Sequence, residues 1–421
     1  MPRSLLFRRF APITIAAALV ACSSNATTTA SGTTTATASG TTTAAPPASI
    51  TTRSTTSATS PSGAAGDAYI VFNGQGNNLD AYVPTPPFTS QRVITTVAKD
   101  PNGLDINAQV CFFPDGSNRF IAGEDTGQGA GDLQGWGIFQ MEGTEVGKLK
   151  ATQKAKLVPT YQGSTDNAEN YGCGFLKDGR VVTTDIGSQA LGPANGQLIV
   201  WYPPFDSEKV AYCKIDVAIA TAQSVWVDPD DNIWVAAARP GASETDAGSG
   251  VWKYTGPFPT SPDAAGGCGK NDSTGAPLAD TISRTRMITP GNDGLLSPAG
   301  LAATGTGNLY VSSVATGVIN EYKLDGAFVR TILQAPAGET LGAKPYSTGT
   351  PLGIGVGPDG SVFYADIGLV VDPTDGIGPG NNSGSVRRIA FKDGKPQAPE
   401  ILATGLAFPD GIGIWVPNAK R

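Results

Sequence analysis

The chain repeats itself, and no other feature limits its possible folds so sharply. Pro351-Leu352-Gly353 opens an alternating apolar stretch, Pro358-Asp359-Gly360 turns it, and a second stretch ends at Asp366. A Gly-rich segment follows, after which Ser385 to Phe391 alternates again. Successive side chains of a strand point to opposite faces, so the pattern reads as strand, tight turn, strand, long loop, strand. The same order runs from Asn170 through Asp178-Gly179 to Asp185, with Gln197 to Tyr202 as the third strand. It recurs from Gln223 to Asp231 with Val251 to Tyr254, and from Pro298 to Val311 with Val318 to Tyr322. The least regular copy is Gln109 to Gly116 with Trp136 to Gln140.

A sixth copy is divided between the ends of the chain. Pro409 to Val416 matches a first strand, and Ala68 to Asn73, Asn78 to Tyr82 and Gln91 to Thr95 match the other three. A four-stranded unit of this kind buries its faces only against neighbours, and a closed ring protects the sheet edges. The expected fold is therefore all-β: a six-bladed β-propeller of four-stranded antiparallel blades, closed by a blade shared between the two termini. The spacing, roughly 60 residues per copy, exceeds the 40–50 of common propeller repeats. Seven blades is the alternative, with the extra one placed between Gly256 and Pro290.

The Pro-x-Gly before an inner strand, the Asp-Gly turns and the Asp closing the second strand together resemble two related groups. These are the NHL-repeat propellers and the superfamily of senescence-marker protein, gluconolactonase and luciferin-regenerating enzyme. The resemblance covers nearly all of Asp67 to Val416. It specifies a fold far better than a function.

The N-terminus reads differently. Arg3, Arg8 and Arg9 precede an apolar run from Phe10 to Val20, too short for the ~20 residues of a spanning helix. Residues 1–21 read as a signal peptide. Leu19-Val20-Ala21-Cys22 resembles the lipobox of bacterial lipoproteins, which implies a lipid on Cys22 and an exported, envelope-anchored protein. Residues 22–66 are Thr, Ser, Ala and Gly with almost no large apolar side chain, a composition that cannot offset its ordering entropy. They form a tether with a reach of roughly 35–40 Å. Residues 67–421 are the propeller.

The chain contains no histidine. That excludes a Ser-His-Asp hydrolase, a histidine general base, and zinc or haem held by histidine within this polypeptide. A net charge of -7 without a basic patch argues against nucleic acid as a partner. Beyond Cys22 remain Cys111, Cys173, Cys213 and Cys268, an even number in an exported chain. Cys111 and Cys173 stand at nearly equivalent positions of adjacent copies, which makes them partners and leaves Cys213 for Cys268. Four buried thiols are the alternative.

In a blade begun by its innermost strand, the segment entering the first strand and the loop after the second emerge on one face. Here those second loops are long: Gly123 to Gly135, Ile186 to Gly196, Ala238 to Gly250 and Ile367 to Gly384. Sites gather on long loops carried by rigid scaffolds, so this face is the expected binding face. Its pocket-lining candidates are Asn107, Asn170, Tyr171 and Gln223 entering inner strands, with Asn73 and Ser313 ending second strands. Glu124, Asp185, Asp366 and Asp410 are candidate ligands for calcium, the hard cation that oxygen donors suit. Alternatively, these carboxylates cap turns. By the family resemblance, Asp410 sits where a metal-binding Asp is expected, but Tyr171, Gln223, Ala299 and Leu352 depart from that pattern. Two functions stay open: a propeller whose long-loop face binds a small molecule, glycan or protein without catalysis, and a calcium-dependent gluconolactonase-like hydrolase of a lactone or ester.

Overall fold

The computed structural model describes residues 68–75, 78–95, 105–125, 135–157, 170–186, 196–207, 210–238, 248–262, 281–291, 293–373 and 376–420. Cys22, the signal and the tether lie outside them, as does Cys268. Among the described residues there is no helix, and six four-stranded antiparallel sheets follow one another along the chain.

Blade 1 contains β1 (Ile70–Gln75), β2 (Asn78–Tyr82) and β3 (Ser90–Thr95). Blade 2 is β4 (Asp105–Phe112), β5 (Arg119–Asp125), β6 (Gly135–Glu142) and β7 (Lys150–Leu157). Blade 3 is β8 (Asn170–Phe175), β9 (Val181–Asp185), β10 (Gly196–Trp201) and β11 (Tyr212–Ile219). Blade 4 is β12 (Ala222–Val227), β13 (Ile233–Ala237), β14 (Gly250–Thr255) and β15 (Ser283–Ile288). Blade 5 is β16 (Pro298–Ala303), β17 (Leu309–Ser313), β18 (Val318–Tyr322) and β19 (Phe328–Leu333). Blade 6 begins with β20 (Pro351–Val356) and β21 (Val362–Asp366). It then inserts a hairpin, β22 (Leu369–Asp372) with β23 (Gly376–Pro379), before β24 (Gly384–Ile389). A smaller hairpin, β25 (Phe391–Lys392) with β26 (Lys395–Pro396), precedes the outer strand β27 (Glu400–Leu406).

The last strand, β28 (Pro409–Trp415), pairs antiparallel with β1, so Ile70 faces Trp415 and Asn73 faces Ile412. The blade shared between the termini is thus formed as the repeat requires. Between Gly256 and Pro290 the described residues hold β15, the fourth strand of blade 4, and the ring closes with six blades. β1 runs on to Gln75, which faces Pro409, so Gln75 rather than Asn73 ends that second strand. Neither inserted hairpin was expected from the sequence.

Six apolar clusters, one per blade interface, hold the ring. Phe72 and Trp415 meet Val110 and Phe120 between blades 1 and 2, and Tyr69 and Ile412 meet Phe363 between blades 6 and 1. The fully buried Trp136 and Trp201 share one cluster between blades 2 and 3. Trp234 is fully buried between blades 4 and 5, with Trp226 packed beside it, and Trp252 packs against the cluster between blades 3 and 4. Each large side chain removed from water contributes about 1.5–3 kcal/mol. Cys111 on β4 and Cys173 on β8 form a disulfide across the interface of blades 2 and 3. Cys213 is also disulfide-bonded.

The Pro-x-Gly motif has a geometric cause. On β20, Pro351 faces Asp366 and Ile354 faces Tyr364, so three steps on the inner strand oppose two on its partner. This is a β-bulge, and the x residue is the extra one. The following glycine lets adjacent inner strands close up. A Cβ on Gly353 would lie 2.3 Å from the Asp410 carbonyl oxygen, and one on Gly300 would lie 2.5 Å from that of Leu352. Two hydroxyls stitch the same contact: Thr184 accepts the Gly172 N–H and donates to the Gln223 carbonyl, and Ser312 does the same between Gly300 and Leu352. Ser312 is thus engaged in holding the inner strands together.

Candidate functional site at the mouth of the central channel

Each inner strand carries a bulge at its long-loop end, and the extra residues of several blades meet there. Three of them, Tyr171, Ala299 and Leu352, are buried in one apolar cluster with Leu369 and Ile377. The last two come from the β22–β23 hairpin, so the long loop of blade 6 folds down as a cap over the mouth. Alternating Leu369, Val371 and Ile377 within the Gly-rich segment were the available signal for that hairpin. Tyr171 reaches from blade 3 to blade 1, where its hydroxyl donates to the Asp410 carbonyl at 3.2 Å. Burial holds this phenol well above the usual tyrosine range.

Gln109, partly buried, spans three blades. From β4 of blade 2, its side-chain oxygen accepts the Cys173 N–H at 3.3 Å and the Ser224 hydroxyl at 3.0 Å. The same oxygen accepts the Val225 N–H at 3.3 Å, and the amide nitrogen donates to the Val225 carbonyl. It can do so because blade 2 carries a wider bulge: Asn107 faces Gly123 and Cys111 faces Ile121, four steps against two. Ala108 inside that bulge takes a φ of 70°, a left-handed conformation that non-glycine residues seldom adopt. Gln109 was missed as a site residue, although this copy was the irregular one.

The four candidate carboxylates have separate fates. Asp366 is fully buried and saturated: it accepts from Thr350 N–H and hydroxyl, Gly368 N–H and the Ser385 hydroxyl. The Arg387 guanidinium pairs with it at 2.9 Å. Asp366 therefore caps the loop start and balances a partly buried arginine. Asp185 is fully buried and engaged. The Glu124 and Asn107 side chains lie outside the described residues. Among the candidates with described side chains, Asp410 combines burial with an open acceptor. Its Oδ2 accepts the Ala108 N–H at 2.8 Å, and its Oδ1 has no hydrogen-bond partner.

The remaining candidates are tied into the frame. Asn73 donates to the Gly411 carbonyl at 2.8 Å, and Asn170 to the Gly135 carbonyl at 2.6 Å. Ser313 accepts the N–H groups of Leu296 and Ser297. The side-chain oxygens of Asn73 and Gln223 are buried without partners. Among the described residues, no three His, Cys, Asp or Glu side chains gather as a metal-binding group. A calcium site built from the four carboxylates together does not fit, because Asp366 has already given its oxygens to five donors, one of them a cation.

Burial pushes the Asp410 carboxyl up to about 7, against the lowering effect of the backbone N–H groups of Ala108 and Gly411. The folded state thus holds this proton more tightly than the unfolded chain, whose Asp titrates near 3.9. Its stabilising contribution is complete below that value and is lost as pH rises toward 7. We expect the melting temperature of the wild type to fall more between pH 5 and pH 8 than that of Asp410→Asn, the difference being on the order of 3 kcal/mol. Parallel pH profiles of the two proteins would refute a buried neutral Asp410.

These features define the class: a closed six-bladed β-propeller whose inner strands are bridged across blades by Tyr171 and Gln109. No family model matches the sequence, and comparison with curated proteins gives no match. Solved structures do resemble it. A chain of the nidogen/laminin complex shows 11% identity over 83% of this chain and 99% of its own, with a TM-score of 0.48. Luciferin-regenerating enzyme shows 12% identity over 71% and 85%, with a TM-score of 0.44. Regucalcin, a calcium-binding protein from Agrobacterium tumefaciens, shows 12% over 69% and 75%, with a TM-score of 0.40. Similarity at this level transfers no activity.

Proposed function

We propose that this protein is a non-catalytic binding propeller, held at the cell envelope by a lipid on Cys22, whose long-loop face captures a small molecule, glycan or protein. The observation that carries this reading is that side chains bridge the inner strands of different blades at the long-loop end of the ring. Tyr171 crosses to Asp410 and Gln109 joins three blades, while the β22–β23 hairpin covers the mouth. Catalysis at the channel would need an open cleft with convergent acid, base or metal ligands. Of the candidate acids with described side chains, Asp366 is consumed by structure and Asp410 is 3% exposed.

Calcium titration tests this. Bound calcium would stabilise the fold by about 2.7 kcal/mol at a hundredfold excess over Kd. We expect melting to be indifferent to chelator and to calcium from micromolar to millimolar, with no calcium-dependent turnover of lactones or esters. A melting temperature that rises with calcium, together with calcium-dependent turnover of a lactone or ester, both lost in Asp410→Asn, would replace this reading with the hydrolase. That alternative rests on one observation, the unpartnered Oδ1 of an acid poised near neutrality. Anchoring is tested separately. Labelled palmitate is expected to enter the wild type and not Cys22→Ala, and a wild type without label would sink the anchor.

A further inference from the structure

Away from the channel, on the opposite face, a cavity of about 590 Å³ opens between the turns of blades 2 and 3. That volume lies within the range of small-ligand sites. Its floor is aromatic. The rings of Phe113 and Phe175 stand 4.6 Å apart, Phe205 is 6.1 Å from Phe113, and Phe175 remains half-buried.

The rim is polar but nearly neutral. Asp115 pairs with Arg119 at 2.9 Å, and Asp178 pairs with Arg180 at 2.8 Å. Arg119 in turn lies 4.3 Å over the Phe113 ring. Lys177 and Asp206, both exposed on the rim, then offset each other. A charged ligand gains little net attraction from such a rim, whereas hydroxyl groups find both donors and acceptors there. The floor meanwhile offers an apolar surface against which the C–H face of a sugar ring can pack.

The floor is also fixed in place. Phe113 follows Cys111 by two residues and Phe175 follows Cys173 by two, so the disulfide joins the same two strand ends that carry the paired rings. The turn beside them is held by the Gly179 N–H to the Leu176 carbonyl, and by the Asp231 carboxylate accepting the Lys177 N–H. Such preorganisation lowers the ordering cost of binding.

We propose that this groove binds an uncharged saccharide and that the Cys111–Cys173 disulfide holds its aromatic floor in register. The site is separate from the long-loop face, so its test stands apart from the calcium response. Isothermal titration of the full-length oxidised protein with maltose, cellobiose and diacetylchitobiose as probes is expected to give saturable binding of at least one. Asp206→Ala, at an exposed position, is expected to raise that Kd at least tenfold with melting unchanged, and Phe175→Ala to raise it as much through the floor while lowering the melting temperature, since its ring packs on Phe113. The double substitution Cys111→Ser and Cys173→Ser is expected to weaken binding while circular dichroism still reports the sheet. No binding of any of the three up to about 10 mM, or binding that survives both Asp206→Ala and Phe175→Ala, overturns the site. Wild-type affinity in the cysteine-free pair overturns the clamp.

Discussion

A chain truncated after Phe408 will lose cooperative unfolding and will aggregate. β28 is the inner strand of blade 1, yet it belongs to three blades by contact: it pairs with β1 and packs against β4 and β20. Its removal strips Trp415 from Phe72 and Phe112, and Ile412 from the cluster with Phe363. Those two side chains alone carry about 3–6 kcal/mol of apolar burial, a large share of the 5–15 kcal/mol typical of a folded protein. The β1 edge, including buried Val71 and Phe72, is then open to other chains. A milder cut tests the same closure from outside. Asn418 exchanges two hydrogen bonds with Asn118, and Lys420 bridges to Asp115, so the residues after Val416 latch onto blade 2. Removing them should cost about 1–2 kcal/mol and leave the oligomeric state of the full chain unchanged. Calorimetry and size-exclusion chromatography read both outcomes, and a truncated chain melting like the full one would refute the shared blade.

Gly411→Ala will be among the most damaging single substitutions in the propeller. A Cβ at this position would lie 1.5 Å from the Ala108 carbonyl oxygen and 2.3 Å from its carbon. Both atoms are backbone of the next blade, so no rotamer relieves the clash. Blades 1 and 2 would have to separate, and with them Phe72 from Phe112 and Asp410 from its Ala108 donor. A loss above ~4 kcal/mol is expected, the range reserved for overpacking and broken buried networks. Gly360→Ala supplies the contrast. Gly360 has a φ of 78° and nothing within 4 Å of its would-be Cβ, so the cost is conformational alone, about 1 kcal/mol. Denaturant midpoints of the two variants should differ accordingly. Equal midpoints would mean that inner-strand contact does not limit this fold.

The strands were legible because period-two alternation, Asp-Gly turns and Pro-x-Gly are local consequences of local chemistry. The shared blade was legible for a related reason, since an incomplete repeat at one end matched the remainder at the other. The Cys111–Cys173 pair followed from equivalent positions in adjacent copies. Each inference needed only the order of residues and the fact that blades stack in sequence.

What remained hidden depends on partners brought close by ring closure. Gln109 meets Ser224 and Val225 across 115 and 116 positions of chain, and nothing near it in sequence announces that span. Asp366 and Asp410 look alike as residues. One became a saturated cap beneath Arg387, and the other was left with an open oxygen, because only packing decides which donors arrive. The groove between Phe113, Phe175 and Phe205 exists on the face where short turns promised little, since it is lined by turns of two blades that only the ring brings together. Repetition along the chain thus dictated blade number and closure, through the need of each sheet to bury its faces. Which polar groups stay free, and where a cavity opens, depended on geometry around the ring, where the contacts are between blades.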